Sequence, residues 1–595
     1  MDDQNKNLIL ATALSFLVIL VWFVLFPPPE AEAPLTPPTA EAPVAGEGLG
    51  VDVDAATTAE VAPVTATQSA EDIVANAPRV TIDSPSLTGS LSLVGGRIDD
   101  LSLKNYNETL EADADLVRLL SPIGTDHPYY ALHGWVASVG ATADQVPNAS
   151  TQWSIESGET LSPGADVVLA WDNGAGLIFR KTFAVDEDFL FTVTQSVENT
   201  TGAEIALRPY GIVARHGEPE QIGFFIQHEG VVRMSDGSME EINYDDMPDL
   251  TTEEGRIEVE ENGWIGFSDQ YWMTALIPTP NHDFRSTAKH GNDIYQIETI
   301  YPMVTVAAGA TASEESHFFA GAQEWEVIRS YQNDLGIDRF LDSIDWGWFF
   351  FLTKPIFAVL HWLNGLIGNM GWAIIGLTFI IKALLLPLAY KSYVSMAKMR
   401  ELQPEMAKLK EAAGDDREKL QKGMMALYKD NKVNPASGCL PILMQIPIFF
   451  SLYKVIFVTI ELRHAPWVGW IKDLSAPDTS SIFNLFGILP WGTPAPDTFL
   501  ALIFIGIMPI VLGISMWLQQ KLNPAPTDPT QKMIFAWMPW VFMFMLGSFA
   551  SGLVLYWIAN NTITFIQQYA IMRSQGFKPD LFGNITGRTK ADDTK

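Results

Sequence analysis

Six apolar runs constrain the fold of this 595-residue chain more than any other feature of its sequence. Each run approaches the length that a helix needs to cross the hydrocarbon core of a bilayer, roughly 20 residues. The chain is therefore predicted to be a multi-domain membrane protein with six transmembrane helices, in the segments 8–26, 371–390, 438–460, 498–519, 533–549 and 552–571.

A charge interrupts the second run. Lys382 lies near the middle of residues 371–390, where a charged side chain costs roughly 2.5 to 3.5 kcal/mol on insertion scales. The runs after it contain no Asp or Glu, and Glu461 lies only at the edge of one. Such a cation predicts a functional site that meets water, a lipid headgroup or a visiting anionic group. The alternative is snorkelling, in which the Lys382 ammonium reaches the nearer membrane interface.

Acidic and basic residues are divided unevenly along the chain. Residues 27–345 carry 53 acidic against 14 basic residues, whereas residues 346–595 carry 15 acidic against 22 basic. Because positive residues cluster on the cytoplasmic side of membrane segments, the acidic half is predicted to lie outside and the basic segment 391–432 inside. Cys439 is the only cysteine, which excludes an intrachain disulfide.

The N-terminal run predicts an uncleaved anchor over residues 1–26. A cleaved signal peptide is the alternative, since Ala31 and Ala33 supply small residues at a plausible spacing. The apolar run is longer than the 7 to 15 residues of a signal peptide, and Lys6 is the one basic residue before it. Residues 27–77, rich in Pro, Ala, Thr, Val and Glu, are predicted to form a disordered tether.

Residues 78–335 show the alternation of apolar and polar residues that is typical of strands. In FLFTVTQSV, for example, Phe191 and Val193 alternate with threonines. Similar short runs recur between Gly, Asn and Asp, and together they predict a large antiparallel β-sandwich. The histidines of this region show no metal-ligand spacing, and no nucleophile elbow or phosphate-binding loop occurs. The sequence therefore predicts no metal, no cofactor and no catalytic residue.

Two helical segments flank the Lys382 run. Residues 345–369 are aromatic and carry few charges, which predicts an amphipathic helix in the outer interface plane; a longer or kinked membrane span is the alternative. Residues 391–432 predict a cytoplasmic helical hairpin that turns at residues 413–416, with Pro404 kinking or loosening its first helix. Its methionines suit either a small antiparallel core or a surface for varied apolar partners: Met396, Met399, Met406, Met424 and Met425.

Polar residues inside the predicted spans are candidates for a cavity shared with Lys382. The alternative for each is hydrogen bonding between helices. Counting spans alternately places both termini in the cytoplasm, with residues 572–595 as a cytoplasmic tail. The candidate polar residues are Thr378, Gln445, Ser548, Ser551, Asn560 and Asn561.

Six segments carry a family resemblance. TFIIKALLLPLAYKSYVSMAKMRELQPE, ALYKDNKVNPASGCLPILMQIPIFFSLY and SGLVLYWIANNTITFIQQ closely resemble the bacterial YidC membrane protein insertases. DEDFLFTVTQSVENTTG, FSDQYWMTALIP and FFAG resemble the periplasmic domain of the same family, so the resemblance covers nearly the whole chain. It implies an all-β super-sandwich periplasmic domain, of the type found in Gram-negative bacteria. It also implies a five-helix insertase domain over residues 371–571, around a hydrophilic groove.

The resemblance also implies roles for particular residues. Lys382 occupies the groove position where the family commonly has Arg, and Lys keeps the charge but gives up bidentate geometry. Tyr556 and Trp557 match an aromatic pair on the side that contacts substrate. Ser548 and Ala550 depart from the bulkier or ring-bearing residues expected of the family.

The function implied by the resemblance is insertion and folding of nascent proteins in the inner membrane, without an enzymatic step. The implied partners are nascent membrane proteins, the Sec translocon with its accessory subunits, membrane lipids, and the ribosome or signal recognition particle pathway through the hairpin. Recognition of a nucleic-acid sequence is not expected.

Two other functions fit part of the sequence. A polytopic transporter or channel with a periplasmic binding domain would also place a charge in a cavity, although the sequence shows no inverted repeat and predicts no pair of broken helices. An anchored periplasmic protein that binds or modifies carbohydrate would explain the sandwich, but it would leave Lys382 and the hairpin unexplained.

Overall fold

The computed structural model describes most of the chain after the predicted tether. The predicted anchor 1–26, most of the tether 27–77 and most of the tail 572–595 lie outside the described residues. Described are residues 68–576, apart from 220, 222–226, 415, 432, 434–439, 487, 495–497, 499, 501–502 and 524–528.

A short helix, α1 (Ala70–Asn76), lies within the segment predicted as a tether. Ser69 caps it by accepting a hydrogen bond from the backbone N–H of Asp72 at 3.1 Å, which satisfies one of the free donors at a helix start. Glu71 forms an ion pair with Arg118. The cap and this ion pair to a distant residue, which composition alone does not reveal, explain why the predicted tether contains a helix.

Twenty strands, β1 to β20, build a β domain in the described part of the chain. They form an eleven-stranded and a nine-stranded sheet. In chain order they are Arg79–Asp83, Leu87–Ser92, Arg97–Asn107, Leu116–Leu120, Tyr129–Ala137, Ser154–Ser157, Thr160–Leu161, Val167–Asp172, Leu177–Val185, Leu190–Asn199, Ile205–His216, Gly230–Ser235, Ser238–Asn243, Arg256–Val259, Gly263–Ser268, Trp272–Pro278, Phe284–Gly291, Ile294–Ile300, Val304–Val306 and Thr311–Ala322.

The strand order is mixed in sequence, as expected of a sandwich rather than a simple meander. The larger sheet runs β14-β17-β18-β11-β5-β3-β2-β1-β7, with β19 on β11 and β4 on β3. The smaller sheet runs β13-β12-β15-β16-β20-β10-β9-β8-β6. The described pairs are antiparallel except for β1 with β7, which confirms the prediction of a large, mainly antiparallel β domain.

The predicted alternation decides which face of each strand is buried. Phe191 and Val193 of β10 and Phe179 and Phe183 of β9 are fully buried, while residues that alternate with them, such as Thr192 and Arg180, are partly exposed. Burying such a side chain stabilises the fold by about 1.5 to 3 kcal/mol relative to leaving it in water. Lys181 of β9 breaks the pattern, because it lies on the buried face.

Ten helices follow the strands in the described part of the chain. They are α2 Trp325–Asp334, α3 Phe350–Ile367, α4 Met370–Leu384, α5 Leu386–Glu401, α6 Gln403–Ala413, α7 Arg417–Asp430, α8 Leu440–Val458, α9 Ile507–Gln520, α10 Pro529–Met545 and α11 Ser551–Ser574. By length and composition, α3 could cross a membrane, and α4 with α5 could form a second span if this bent pair is one unit. Residues 444–458 of α8 form a shorter apolar helix, and so does α9.

The helix that carries Lys382 is broken. α4 and α5 meet at a bend of 68°, next to Pro387. A proline has no backbone N–H to donate to the carbonyl four residues before it, and its ring clashes with that carbonyl, which breaks or kinks a helix. Lys382 therefore lies in the last turn of α4 rather than near the middle of a continuous span. The break concerns one helix, so the expectation that no pair of broken helices occurs stays a prediction.

The hairpin segment forms helices at the predicted places. α5 ends at Glu401 and α6 resumes at Gln403, so Pro404 lies in the first turn of a new helix, as its missing N–H favours. α6 ends at Ala413, and the side chain of Asp416 caps α7 by accepting from the N–H of Lys419 at 3.0 Å. The predicted turn between the two helices is confirmed.

Candidate functional site

Lys382 contacts a neutral side chain at the bend of α4. Its Nζ donates a hydrogen bond to Oε1 of Gln445, on α8, at 3.2 Å. No carboxylate lies within ion-pair distance of Lys382 among the residues that the structure describes. An amide oxygen satisfies one donor of the ammonium without cancelling its charge. The half-buried cation therefore keeps its attraction for an anionic group.

Gln445 extends the contact to a third helix. Its Nε2 donates a hydrogen bond to the hydroxyl of Tyr556, on α11, and Tyr556 is 1% exposed. One turn along α8, Phe449 stacks on Trp557 with ring centroids 5.1 Å apart. Lys382, Gln445 and Tyr556, which we call the Lys382 network, thus join α4, α8 and α11.

The face of α11 that carries Tyr556 is polar over several turns. Asn560 and Thr564 follow at intervals of four residues, which places them on one side of the helix. Asn560 Oδ1 and Thr564 Oγ1 are buried and have no hydrogen-bond partner in the described part of the chain. Gln567 donates to the backbone carbonyl of Lys382 at 3.3 Å. Buried polar atoms of this kind are sites for ordered water or for the polar part of a ligand.

Of the other polar residues predicted from the spans, Thr378 and Asn561 bond elsewhere, whereas the buried Oγ of Ser551 has no hydrogen-bond partner among the described residues. Thr378 donates to the carbonyl of Ile374 on its own helix at 2.7 Å, and Asn561 donates to Ser515 Oγ of α9 at 3.1 Å. Both contacts fit the alternative of hydrogen bonding within and between helices. Ser548 is exposed and Ser551 is buried. The structure thus brings together Lys382, Gln445 and Tyr556, with Trp557 and Asn560 beside them.

The five hairpin methionines occupy different surroundings. Met399 and Met424 pack against Met406 in a small core between α6 and α7, as fillers of irregular gaps. Met396 packs with a neighbouring cluster that includes Ile571 of α11. Met425 is 68% exposed, so it is the one of the five that presents most of its surface to a partner.

A buried lysine of the helical region, Lys454, escaped the sequence analysis. Lys454 of α8 is 3% exposed and forms an ion pair with Asp345, which precedes α3. The signal was available, because Lys454 interrupts the run 438–460 just as Lys382 interrupts its own run. The polar residues Thr564 and Gln567 were also missed, although their spacing from Asn560 marks one face of α11.

The Lys382 network is suited to binding rather than to covalent chemistry. It offers an ammonium, an amide and a phenol, and in the described residues it pairs no nucleophile with a general base. No group of three or more His, Cys, Asp or Glu side chains in the described ranges is arranged to hold a metal ion. The arrangement can attract and hydrogen-bond an anionic or polar group between apolar helices.

Known proteins match the chain over its whole length. Residues 79–359 match the family model described as YidC periplasmic domain, and residues 362–578 match the model described as 60Kd inner membrane protein. A protein of Dinoroseobacter shibae named membrane protein insertase YidC is 66% identical over 99% of each chain. The protein of the same name from Roseobacter denitrificans is 64% identical over 100% of each chain.

A solved structure described as an active YidC insertase crystal structure is 17% identical; the match covers 83% of this chain and 94% of that one, with a TM-score of 0.34. The two family models together cover the β domain and the helices, and relatives at this identity span the full length. On these matches, the chain belongs to the YidC family of membrane proteins.

Proposed function

We propose that this protein inserts nascent membrane proteins into the bacterial inner membrane and assists their folding. The relatives that match it over their full length carry the name membrane protein insertase. The observation that carries the proposal is the Lys382 contact, in which a cation among apolar helices has a neutral amide as its described partner. Such a charge is costly in a membrane. Its attraction for the polar segment of a substrate would explain why the charge is present.

The mechanism follows from the two parts of a substrate. A short acidic or polar tail enters beside Lys382, which offsets part of the cost of removing that tail from water. The apolar segment behind the tail slides along the helices into lipid, and burial of its apolar surface supplies the driving force. The polar face of α11 gives the tail further hydrogen-bonding groups at Asn560 and Thr564. This protein consumes no nucleotide and breaks no covalent bond in the process.

The membrane topology is part of the proposal. Six spans place both termini and the α6–α7 hairpin in the cytoplasm, and the β domain in the periplasm. The basic character of residues 391–432 supports this orientation. Fusions of a reporter active only in the periplasm, made after α7 and after β20, test it. Activity is expected from the second fusion alone, and the reverse result would overturn the orientation.

The hairpin is the proposed receiving surface for nascent chains and their carriers. Met425 supports this role because its flexible apolar side chain is 68% exposed. A photo-crosslinking residue at position 425 is expected to trap nascent chains, and components of the ribosome, the signal recognition particle pathway or the Sec translocon. A crosslinker at Met406, which is 9% exposed, serves as the matched control.

The proposal is tested by depleting the native protein and rescuing cells with variants of Lys382. Lys382→Arg should restore insertion of a single-span substrate with an acidic tail, because the charge is kept, whereas Lys382→Ala and Lys382→Glu should fail. Lys532→Ala, which removes an exposed positive charge from α10, is the control and should insert normally. Full rescue by all three Lys382 variants would contradict the proposal.

A further inference from the structure

A buried ion pair joins the C-terminal half of α8 to the segment that follows the β domain. Lys454 lies one turn before the end of α8, and its Nζ donates to Oδ2 of Asp345, in the segment between the β domain and α3. The Lys454 side chain is 4% exposed. A cation buried so deeply is strongly unfavourable without its partner. The pair therefore fixes where this turn of α8 can lie.

The β domain in turn holds Asp345. The backbone N–H of His228 donates to Asp345 Oδ2 at 2.9 Å, and the N–H of Gly347 donates to Oδ1 at 3.0 Å. The His228 ring contacts the carbonyl of Val231, in β12, at 3.0 Å through Nε2. The carboxylate that neutralises Lys454 is thus positioned by the start of β12 and not by the helices alone.

The backbone of this segment also packs on the lysine stem. Gly347 has φ of 69°, a left-handed conformation that favours glycine. A Cβ at Gly347 would lie 3.1 Å from Cε of Lys454. The close approach leaves the Lys454 side chain little room to change its path.

Two more contacts hold the same end of α8. Gln270, in the β domain, donates to the carbonyl of Phe457 at 2.9 Å, which is among the carbonyls that a helix end leaves free. Beyond the helix, Arg463 donates to the carbonyl of Asn107 at 2.7 Å, and its guanidinium lies 5.4 Å from the ring centre of Trp272. The β domain therefore contacts α8 and the residues after it at several points.

The other half of the same helix carries the centre of the Lys382 network. Gln445 precedes Lys454 by nine residues, or about 13 Å along the helix axis. Pro447 lies between them and removes one hydrogen bond from the helix. The direction of α8 across this point is consequently not fixed by the helix alone, and an anchor at Lys454 can set it.

We propose that Lys454 is a positioning residue, which acts with Asp345 to place α8 and, through α8, to place Gln445 between Lys382 and Tyr556. By this route the β domain sets the geometry of the Lys382 network. The inference rests on the proposed insertase function and adds to it a role for the contact between the β domain and the helices.

A cycle of four proteins tests the positioning role: the unaltered protein, Lys454→Met, Gln445→Ala and the double variant. Met keeps the length of the side chain and leaves Asp345 with its two N–H donors. Insertion of a substrate with an acidic tail is measured in depleted cells and normalised to the amount of folded protein, and thermal unfolding is recorded for each variant. Lys454→Met should lower insertion by roughly threefold or more. The double variant should insert no worse than Gln445→Ala, because Lys454 acts through Gln445.

Lys472→Met removes an exposed lysine that follows α8 and should leave insertion unchanged. Normal insertion by Lys454→Met would overturn the positioning role, and so would a double variant whose loss is the product of the two single losses. If Lys454→Met does not accumulate, Asp345→Asn takes its place in the cycle under the same criteria. Lys382→Ala separates the two proposals. Normal insertion by Lys382→Ala would overturn the insertase mechanism. If Lys382→Ala fails to insert while Lys454→Met inserts normally, the positioning role alone is overturned.

Discussion

Gln445→Glu is the sharpest test of how Lys382 acts. The change is nearly isosteric, so it replaces the amide oxygen 3.2 Å from Lys382 Nζ with a carboxylate oxygen. At an effective dielectric constant of about 20, two unit charges at this distance attract by about 5 kcal/mol. Desolvation of the new carboxylate offsets most of this gain. We expect a net attraction of about 1.4 kcal/mol between Lys382 and the new carboxylate. An acidic tail must compete with this attraction, so insertion should fall by about tenfold.

The assay compares two substrates in cells that depend on the variant. One is a single-span protein with an acidic tail, and the other has the same apolar segment behind an uncharged polar tail. Gln445→Glu should impair the first and largely spare the second, since only the acidic tail competes with the new carboxylate. Gln519→Glu, which adds the same charge to the last turn of α9, is the matched control and should spare both.

Two results would refute this reasoning. Unimpaired insertion of the acidic-tailed substrate by Gln445→Glu would mean that the field of Lys382 does not act on the tail. Equal loss for both substrates would mean that Gln445 supports the helices without governing a charge. Thermal unfolding of the variant separates the second result from a general loss of folded protein.

Three further predictions concern single contacts. Burial lowers the pKa of Lys181 to about 7, so its protonated form destabilises the fold fully below that pH and less as the pH rises towards about 10.4, the pKa of an unfolded lysine. Lys181→Met should therefore raise the free energy of unfolding by about 2 to 4 kcal/mol near pH 6, even though it loses the hydrogen bond to the carbonyl of Gly95. The gain should be smaller near pH 9, and a larger gain at that pH would contradict burial of the charge as the cause. Tyr556→Phe removes the acceptor for Gln445 Nε2 and should cost about 1 kcal/mol of stability by thermal unfolding. Asp416→Ala removes the N-cap of α7 and should cost the hairpin about 1 kcal/mol, seen as faster amide exchange in α7 and not in α11.

The β domain was predictable because its signal is local. Phe191 and Val193 lie on the buried face as their alternation predicts, since adjacent side chains of a strand point to opposite sides. The same rule could not place Lys181, whose partner carbonyl at Gly95 belongs to a segment far away in sequence. The order of strands in the two sheets likewise depends on contacts between distant segments, which alternation does not encode.

Among the helices, sequence identified the residues of the network but not their pairing. Lys382, Gln445 and Tyr556 were each candidates, yet hydropathy carries no information about which polar side chains meet across three helices. The bend between α4 and α5 had a visible cause in Pro387, and it was missed because the apolar run continues across it. A search restricted to carboxylates within the spans could not find Asp345, which lies outside them.

Lys382 and Lys454, both in the helical region, show that the partner of a lysine decides whether its charge is neutralised or can attract an anion. Lys454 is 3% exposed and meets the carboxylate of Asp345, so its field is cancelled nearby and it can only hold elements together. Lys382 is half-buried and meets the amide of Gln445, which satisfies a donor and leaves the charge uncancelled by any described neighbour. Lys454 therefore attracts an approaching anion weakly, whereas Lys382 attracts it more strongly, because a desolvated ion pair needs good geometry and a counter-charge that is not already paired. The same helix, α8, carries Lys454 and contributes Gln445 to the surroundings of Lys382. The ion pair with Asp345 anchors α8, and the contact with Gln445 is the one at which we propose that the polar part of a substrate binds.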